Sequence, residues 1–427
     1  MKAILNPKIH FLWLFWSFQV YASEFKAQIS CLSKIHLLSY QSGLIENTAA
    51  LENLKSYNHP NIDAAVQSSS GTSGKLDSPQ SNATLEINDT LFDSTAESKI
   101  TAYKTRQNAE TQEIKEKLAS ITVGFFAGAY QVQSLKNQIE IFENRKTTLE
   151  KVIGYLKDLT KVGASDGSDL LFAESEFLRI ESEISRIRIL LLDGELIVSN
   201  YTTGQPGPWS FFLADVHPSE SDASYWRYKQ DRIPSILKES LRSRSFLEER
   251  KSFEFQLTPR VEVAATAGSN AKAYSGTFGD QTVSLRLVWP LWDKSDRQIQ
   301  RDRLNAASAI YRQKAQISKT TFENEINYTL KSIKEFELLK MTLKKRITLS
   351  EKSLEVAWTK FKLKKLNFQE YRIIEETLSE AKQRLKQADL DQGLKRSRLF
   401  IWDEFASNES ITADNIDCTQ KGKLPIK

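Results

Sequence analysis

The chain has 427 residues, 40% of them hydrophobic and 26% charged, with a formal net charge of +5 and a pI near 8.8. That composition excludes an intrinsically disordered chain and a helical membrane protein, while the length allows two or three domains. The basic excess is too small to argue for nucleic acid, and Lys2 and Lys8 belong to a leader whose removal lowers the charge to +3.

That leader is residues 1–22. Lys2 and Lys8 flank the start of the largely apolar run FLWLFWSFQV, which is too short to span a bilayer, and Val20-Tyr21-Ala22 offers the small residues of a cleavage site. The pattern predicts a secretory signal peptide and an exported mature chain. Downstream, no apolar run is long enough for a membrane helix, so the product either stays soluble outside the inner membrane or enters an outer membrane as strands. The two cysteines, Cys31 and Cys418, lie near opposite ends of the chain. Two readings stay open for them: a disulfide tying the termini together, or two unpaired thiols.

The rest of the chain reads as a duplication. The first copy, 23–204, carries strands near 60–67 and 83–91 and helices over about 94–162 and 168–200. A linker follows at 205–233, containing the sequence QPGPW. The second copy, 234–406, has strands near 259–267 and 281–291 and helices over about 293–362 and 368–405, before a tail at 407–427. Thr84–Asp93 (TLEINDTLFD) aligns with Ser284–Asp293 (SLRLVWPLWD) at an offset of two hundred residues, and PNIDAAV from Pro60 aligns with PRVEVAA from Pro259.

Within the strands, Val283, Leu285, Leu287, Trp289 and Leu291 alternate with Ser284 and Arg286, and Val261, Val263, Ala265 and Ala267 alternate with Glu262 and Thr266. This period of two fits the wall of an outer-membrane barrel and equally a hairpin packed on a soluble core. In the helical stretches there is no proline, and Phe322, Ile326, Leu330, Ile333, Phe336, Leu339, Leu343 and Ile347 recur at helical spacing. About seventy residues at 1.5 Å each make a rod of roughly 100 Å. Each rod ends in a turn and reverses. In the first turn, KVGASDGSD, Gly163 suits the end of the outgoing helix and Ser168 the cap of the returning one; in the second, KLKKLNFQE, Asn367 suits the cap. The returning helices carry 3,4-spaced seams, Leu170, Ala173, Phe177, Ile180, Ile184 and Ile187 in one, and Tyr371, Ile374, Leu378, Ala381, Leu385 and Ala388 in the other, as in an antiparallel coiled coil. The acidic pair Glu375 and Glu376 reads as part of a solvated polar face.

The duplication, the strand-to-helix junction VSLRLVWPLWD and the turn-and-return KVGASDGSDLLFAESEFL together resemble the TolC-like outer-membrane efflux proteins. The resemblance implies a mainly α fold with a small β part. In it, duplicated β-hairpins from three chains complete a twelve-stranded outer-membrane barrel, and long helical hairpins form a periplasmic α-barrel tunnel. It implies no catalysis and no cofactor, but passive conduction as the channel of a tripartite efflux or type I secretion system. The partners would be a periplasmic adaptor, an inner-membrane efflux or ABC transporter, outer-membrane lipid and two further copies of the chain, with no nucleic acid. By position, Asp169 and Glu370 match the acidic residues that narrow the family's entrance, and Gly163, Asp166, Lys364, Lys365 and Asn367 fall at the periplasmic tip where a partner would make contact. Three positions depart from the family: Lys364 stands where a glycine is usual, Leu366 where an arginine latch may stand, and Phe361 where a tyrosine often forms hydrogen bonds. A run of lysines, Lys360, Lys362, Lys364 and Lys365, reads as a solvated charge face, or as a surface for acids or a partner.

Enzyme signatures are missing from the sequence: His10, His36, His59 and His217 show no metal-ligand spacing, and there is no P-loop or nucleophile elbow. The alternative to a channel is a periplasmic coiled-coil structural or adaptor protein whose strands form no barrel, a reading to which the polar Asp89 near the expected membrane boundary lends weight.

Overall fold

The computed structural model describes residues 29, 31–33, 35–36, 42–55, 61–69, 80–93, 95–163, 167–203, 223–254, 260–271, 281–288 and 295–407. They fall into two compact units, divided within the long helices at Ile114/Lys115 and Thr320.

One unit holds the sheet. β1 (Asn61–Ser69), β2 (Gln80–Asp93), β3 (Arg260–Ala271) and β4 (Gln281–Val288) form a four-stranded antiparallel sheet in sequential order. The duplicated hairpins are joined through β2 and β3, where Ile87 is registered with Ala265 and a bulge falls between Thr90 and Phe92. β3 and β4 match apolar residue to apolar residue, Val261 with Leu287, Val263 with Leu285 and Ala265 with Val283. Yet Val283, Leu285 and Leu287 are 79%, 71% and 60% exposed. This apolar row is therefore left uncovered by the described residues. Trp289 and Leu291 of the expected strand lie outside the described residues. Two shorter helices, α1 (Ser42–Lys55) and α5 (Pro234–Lys251), belong to this unit. Arg242 on α5 pairs with Glu113, and Ser243 donates to the Ser308 carbonyl at 3.0 Å, so α5 is tied to both long helices that pass through the unit.

The other unit is helical. Its parts are the distal portions of α2 (Ala96–Lys161) and α6 (Asp296–Lys362), their returning partners α3 (Ser168–Thr202) and α7 (Phe368–Ser407), and α4 (Ala223–Lys229). α2 and α6 run 66 and 67 residues, and no helix among the described residues is long and apolar enough to cross a membrane. On α3, Ala173, Ile180, Ile184 and Ile187 are buried, and on α7, Tyr371, Leu378, Ala381 and Ala388. The seams are therefore where the two hairpins close.

The stretch read from sequence as a linker, 205–233, has helical structure at its C-terminal end. Residues 223–229 are helical and 230–232 continue as a 3₁₀ turn. The cause is Trp226, 2% exposed and set edge-on between Tyr225 and Phe322, while the Tyr225 hydroxyl donates to Asp403 at 2.7 Å and Lys229 pairs with the same carboxylate. A buried indole and a shared anion hold seven residues that composition alone would leave as loop.

Candidate functional site at the helical turns

Both turns lie in the helical unit. α2 ends with Gly163 at φ +67°, its amide donating to the Thr160 carbonyl at 3.0 Å. A left-handed residue just past a helix is a glycine position because a Cβ there meets the preceding carbonyl. α6 ends the same way without glycine. Lys364 sits at φ +58°, its amide bonds to Phe361, and the Lys365 amide reaches back to Lys360, both at 2.9 Å, completing a Schellman turn. Replacing Lys364 with Gly is expected to stabilise the unit by about 0.5–1 kcal/mol once the looser unfolded chain is allowed for, and Gly163→Lys to cost about 1–2 kcal/mol, both read from denaturation midpoints.

The returning helices start differently from each other. Asn367 caps α7: its side-chain oxygen accepts the Glu370 amide at 2.8 Å, and the Glu370 carboxylate accepts the Asn367 amide at 3.1 Å. This is a capping box with Asn in the Ser/Thr place. The Phe368 amide, which has no acceptor within its own helix, donates to Asp169 of the other hairpin at 3.3 Å. α3 instead begins after Gly167 at φ +87°, with no side-chain cap. Ser168 is thus its first helical residue and not the cap the sequence suggests, because a left-handed glycine already turns the chain into the helix.

Asp169, Lys364, Lys365, Asn367 and Glu370 line one open cleft of about 390 Å³, together with Tyr155 and Phe361. Gly163 is exposed and outside that lining, whereas Asp166 and Cys418 lie outside the described residues; Cys31 is fully buried. Glu370 is exposed and Asp169 half-buried, so the two acids differ in role: Asp169 joins the turns, while Glu370 faces water even as it caps its own helix. Where the resemblance allows for a polar latch, aromatic rings stand. Phe361 stacks on Trp358 at 5.8 Å and on Tyr371 at 5.4 Å, Tyr155 packs on Trp358 and Phe361, and the Tyr155 hydroxyl donates to the Lys362 carbonyl at 3.0 Å. Lys362 is drawn back over the Trp358 ring, 4.9 Å from its centroid.

Behind this stack lies a charge network that the heptad pattern conceals. Arg145 of α2, 7% exposed, grips Glu375 of α7 through Nε at 2.9 and 3.1 Å and reaches Glu176 of α3 through Nη2 at 3.4 Å. Glu176 also accepts from Arg179 at 2.6 and 2.8 Å and from Arg372 at 3.3 Å. Burial pushes the Glu176 carboxyl up, but the Arg179 hydrogen bonds and the charges of Arg179, Arg145 and Arg372 outweigh it and hold it low. At Glu375 burial wins over Arg145, helped by repulsion from Glu176 and Glu376, and the carboxyl is raised. Burial and the Glu375 charge push the Tyr371 phenol to about 12. Glu375 is therefore not on a solvated face, as its sequence suggests. Glu376 is half exposed, with Arg179 at 3.9 Å. No group of acids, histidines or cysteines among the described residues is placed to hold a metal.

This combination of a four-stranded sheet continued by two long antiparallel helical hairpins has close counterparts among solved structures. The outer membrane protein VceC from Vibrio cholerae superposes with a TM-score of 0.72 over 88% of this chain and 96% of its own, at 13% identity. A membrane protein from Pseudomonas aeruginosa gives 0.74 over 91% and 92%, at 12% identity. The CmeC outer membrane channel of Campylobacter jejuni gives 0.70 over 92% and 90%, at 11% identity. The chain has the TolC-like outer-membrane channel fold. No protein-family model matches the sequence of this TolC-like chain, and no curated protein sequence is similar to it. At such identities the likeness lies in the path of the backbone.

Proposed function

We propose that the chain is the outer-membrane channel of an efflux or secretion assembly, a homotrimer that conducts its cargo passively from an inner-membrane transporter, met through a periplasmic adaptor at the helical turns, to the outside. The observation that carries this reading is the exposed apolar row of β4 on a sheet whose fold counterparts are outer-membrane channels. Four strands leave two unpaired edges, and sister chains that extend the sheet would close them. The helices support the same assembly. α3 has a second apolar row, Leu171, Leu178, Ile189, Leu192 and Leu196, each more than 60% exposed, and α6 has another at Leu349 and Val356, with Leu363 just past its end. The two helices also differ in charge: α3 carries seven Asp and Glu against three Lys and Arg, and α6 fifteen Lys and Arg against eight acids. Surfaces of opposite sign, each with an apolar row, suit a head-to-tail ring of identical chains.

In that ring Glu370, exposed at the turn, and Asp169 behind it would form the acidic constriction, a site for cations rather than chemistry. The leader at 1–22 would direct export. A Cys31–Cys418 bridge is the natural pairing of the chain's only two cysteines, with Cys31 buried and no free cysteine among the described residues.

The test is assembly and conduction. The mature protein is expected in the membrane fraction, released by detergent at the mass of three chains, and to give discrete ion currents in planar bilayers; a monomer released without detergent would end the proposal. Leu192→Glu, on the exposed α3 row, is expected to abolish the three-chain species while leaving the thermal midpoint of the single chain within about 0.5 kcal/mol equivalent, as surface changes do. Sedimentation of the detergent-solubilised variant decides it.

A further inference from the structure

We propose that Arg145, Glu176 and Glu375 form a proton-sensitive clamp between the two helical hairpins: a proton on Glu375 tightens the junction, and its loss loosens it. The junction is built across elements. Arg145 comes from α2, Glu176 and Arg179 from α3, and Arg372, Glu375 and Glu376 from α7, so both hairpins contribute and neither can shift without breaking the fork at Arg145. The α6 residues in the adjoining core, Ala357 and Phe361, carry no charge.

The charges are unevenly shared. Glu176 has three guanidinium groups around it, while Glu375, with a side chain only 15% exposed, has one, and that one is divided with Glu176. Glu375 also has two like charges nearby, Glu176 and Glu376, and the Tyr371 ring above. It is the carboxylate least compensated for its loss of water, and so the first to take a proton.

The direction of the response follows from linkage. In an opened junction Glu375 is solvated and holds its proton with ordinary strength; in the closed junction it holds the proton more tightly. Acidification through that raised range therefore favours the closed form, and deprotonation favours opening. Glu176 acts oppositely. Its carboxyl is held below the ordinary value, so its contribution is full above that value and is lost as pH falls through its own lower one. The clamp is tightest in the mildly acidic band between the two.

Hydrogen exchange followed by mass spectrometry on the full detergent-solubilised protein tests this without requiring conduction. In peptides covering 142–152 and 371–378, protection corrected for the intrinsic pH dependence of exchange is expected to rise about threefold or more as the pH is lowered from the neutral range toward the ordinary carboxylate value. Glu375→Gln, which keeps the shape and removes the charge, is expected to show the acid-level protection throughout, with no pH step. Glu376→Gln is expected to keep the wild-type profile. A wild-type profile that is flat or falls toward acid, or a Glu375→Gln profile that follows the wild type, overturns the proposal.

Discussion

Phe361→Ala is expected to cost the helical turns about 4 kcal/mol, the largest loss of any apolar substitution at the tip. Phe361 is 4% exposed and lies at the centre of the aromatic group, in ring contact with Tyr155, Trp358 and Tyr371. Truncation removes a phenyl ring from between helices α6 and α7 and leaves a hole that three ring neighbours cannot fill by rotation, because each is held elsewhere. Tyr155 is anchored through its hydroxyl to the Lys362 carbonyl, and Tyr371 is the first buried residue of the α7 seam. The opening free energy of amides in 155–161 and 368–378, from native-state hydrogen exchange, reads the loss directly; about 4 kcal/mol is roughly a thousandfold faster exchange. An increase below tenfold would show that the turns are held by the Asp169 and Tyr155 hydrogen bonds and not by the stack. Phe361→Tyr introduces the residue often found at this place in the TolC-like proteins that the sequence resembles. It is expected to cost less than about 1.5 kcal/mol, since the ring and its packing remain and only the new hydroxyl needs a partner.

The stack also explains which parts of this molecule were open to reading from sequence. The long helices are legible because they lack proline and because Phe322, Ile326 and Leu330 recur at helical spacing; all three are buried. Further along the same series Leu339 is 44% exposed. Three successive steps of three residues, from Leu330 to Leu339, turn Leu339 off the covered side, and the next step of four brings Leu343 back to it, 5% exposed. The second turn is legible at Asn367, whose capping box is local chemistry, and at Lys364, whose left-handed backbone occupies the position where the family has glycine.

What escapes the sequence is lateral. A heptad pattern gives each helix one covered seam and assigns everything beside it to solvent. Glu176 and Glu375 flank the seam residues Phe177 and Ile374, yet the first is buried and the second keeps only 15% of its side chain exposed, because a hairpin that packs on another hairpin is covered on a second side. Trp226 escapes for the same reason: its partner Phe322 is nearly a hundred residues away, and nothing in its own segment announces that pairing. The apolar alternation of β4 leaves barrel and soluble hairpin equally open. The exposure of Val283, Leu285 and Leu287 bears on that choice, and exposure is a property of the whole chain, not of the strand's own pattern.

Glu176→Ala is the second substitution with a large expected effect, about 3 kcal/mol of destabilisation, and its argument turns on what the removed charge leaves behind. Breaking a buried ion pair by deleting one partner costs about 3–5 kcal/mol, because the remaining charge is stranded. Three guanidinium groups lose an acceptor here, but they are not equally stranded. Arg179 and Arg372 are 49% and 36% exposed and recover water, whereas Arg145, at 7%, keeps only Glu375. The cost therefore falls at the low end of that range. It brings a second, opposite effect at the neighbouring site: with Glu176 gone, Glu375 loses a like charge and gains undivided use of Arg145, so its raised carboxyl falls toward the ordinary range. The pH step in hydrogen exchange should accordingly move to lower pH in Glu176→Ala, while disappearing in Glu375→Gln. Replacing Arg145, Glu176 and Glu375 together with leucine removes the three most enclosed charges of this junction at once. It is expected to cost less than Glu176→Ala alone, since well-packed apolar groups replace a buried ionic cluster at little or no loss. Thermal and denaturant midpoints of the three variants, measured on the same detergent-solubilised protein, decide the ordering. A triple variant less stable than Glu176→Ala would mean that the cluster contributes net stability to the junction, and that its charges do more than make the contact between hairpins responsive to protons.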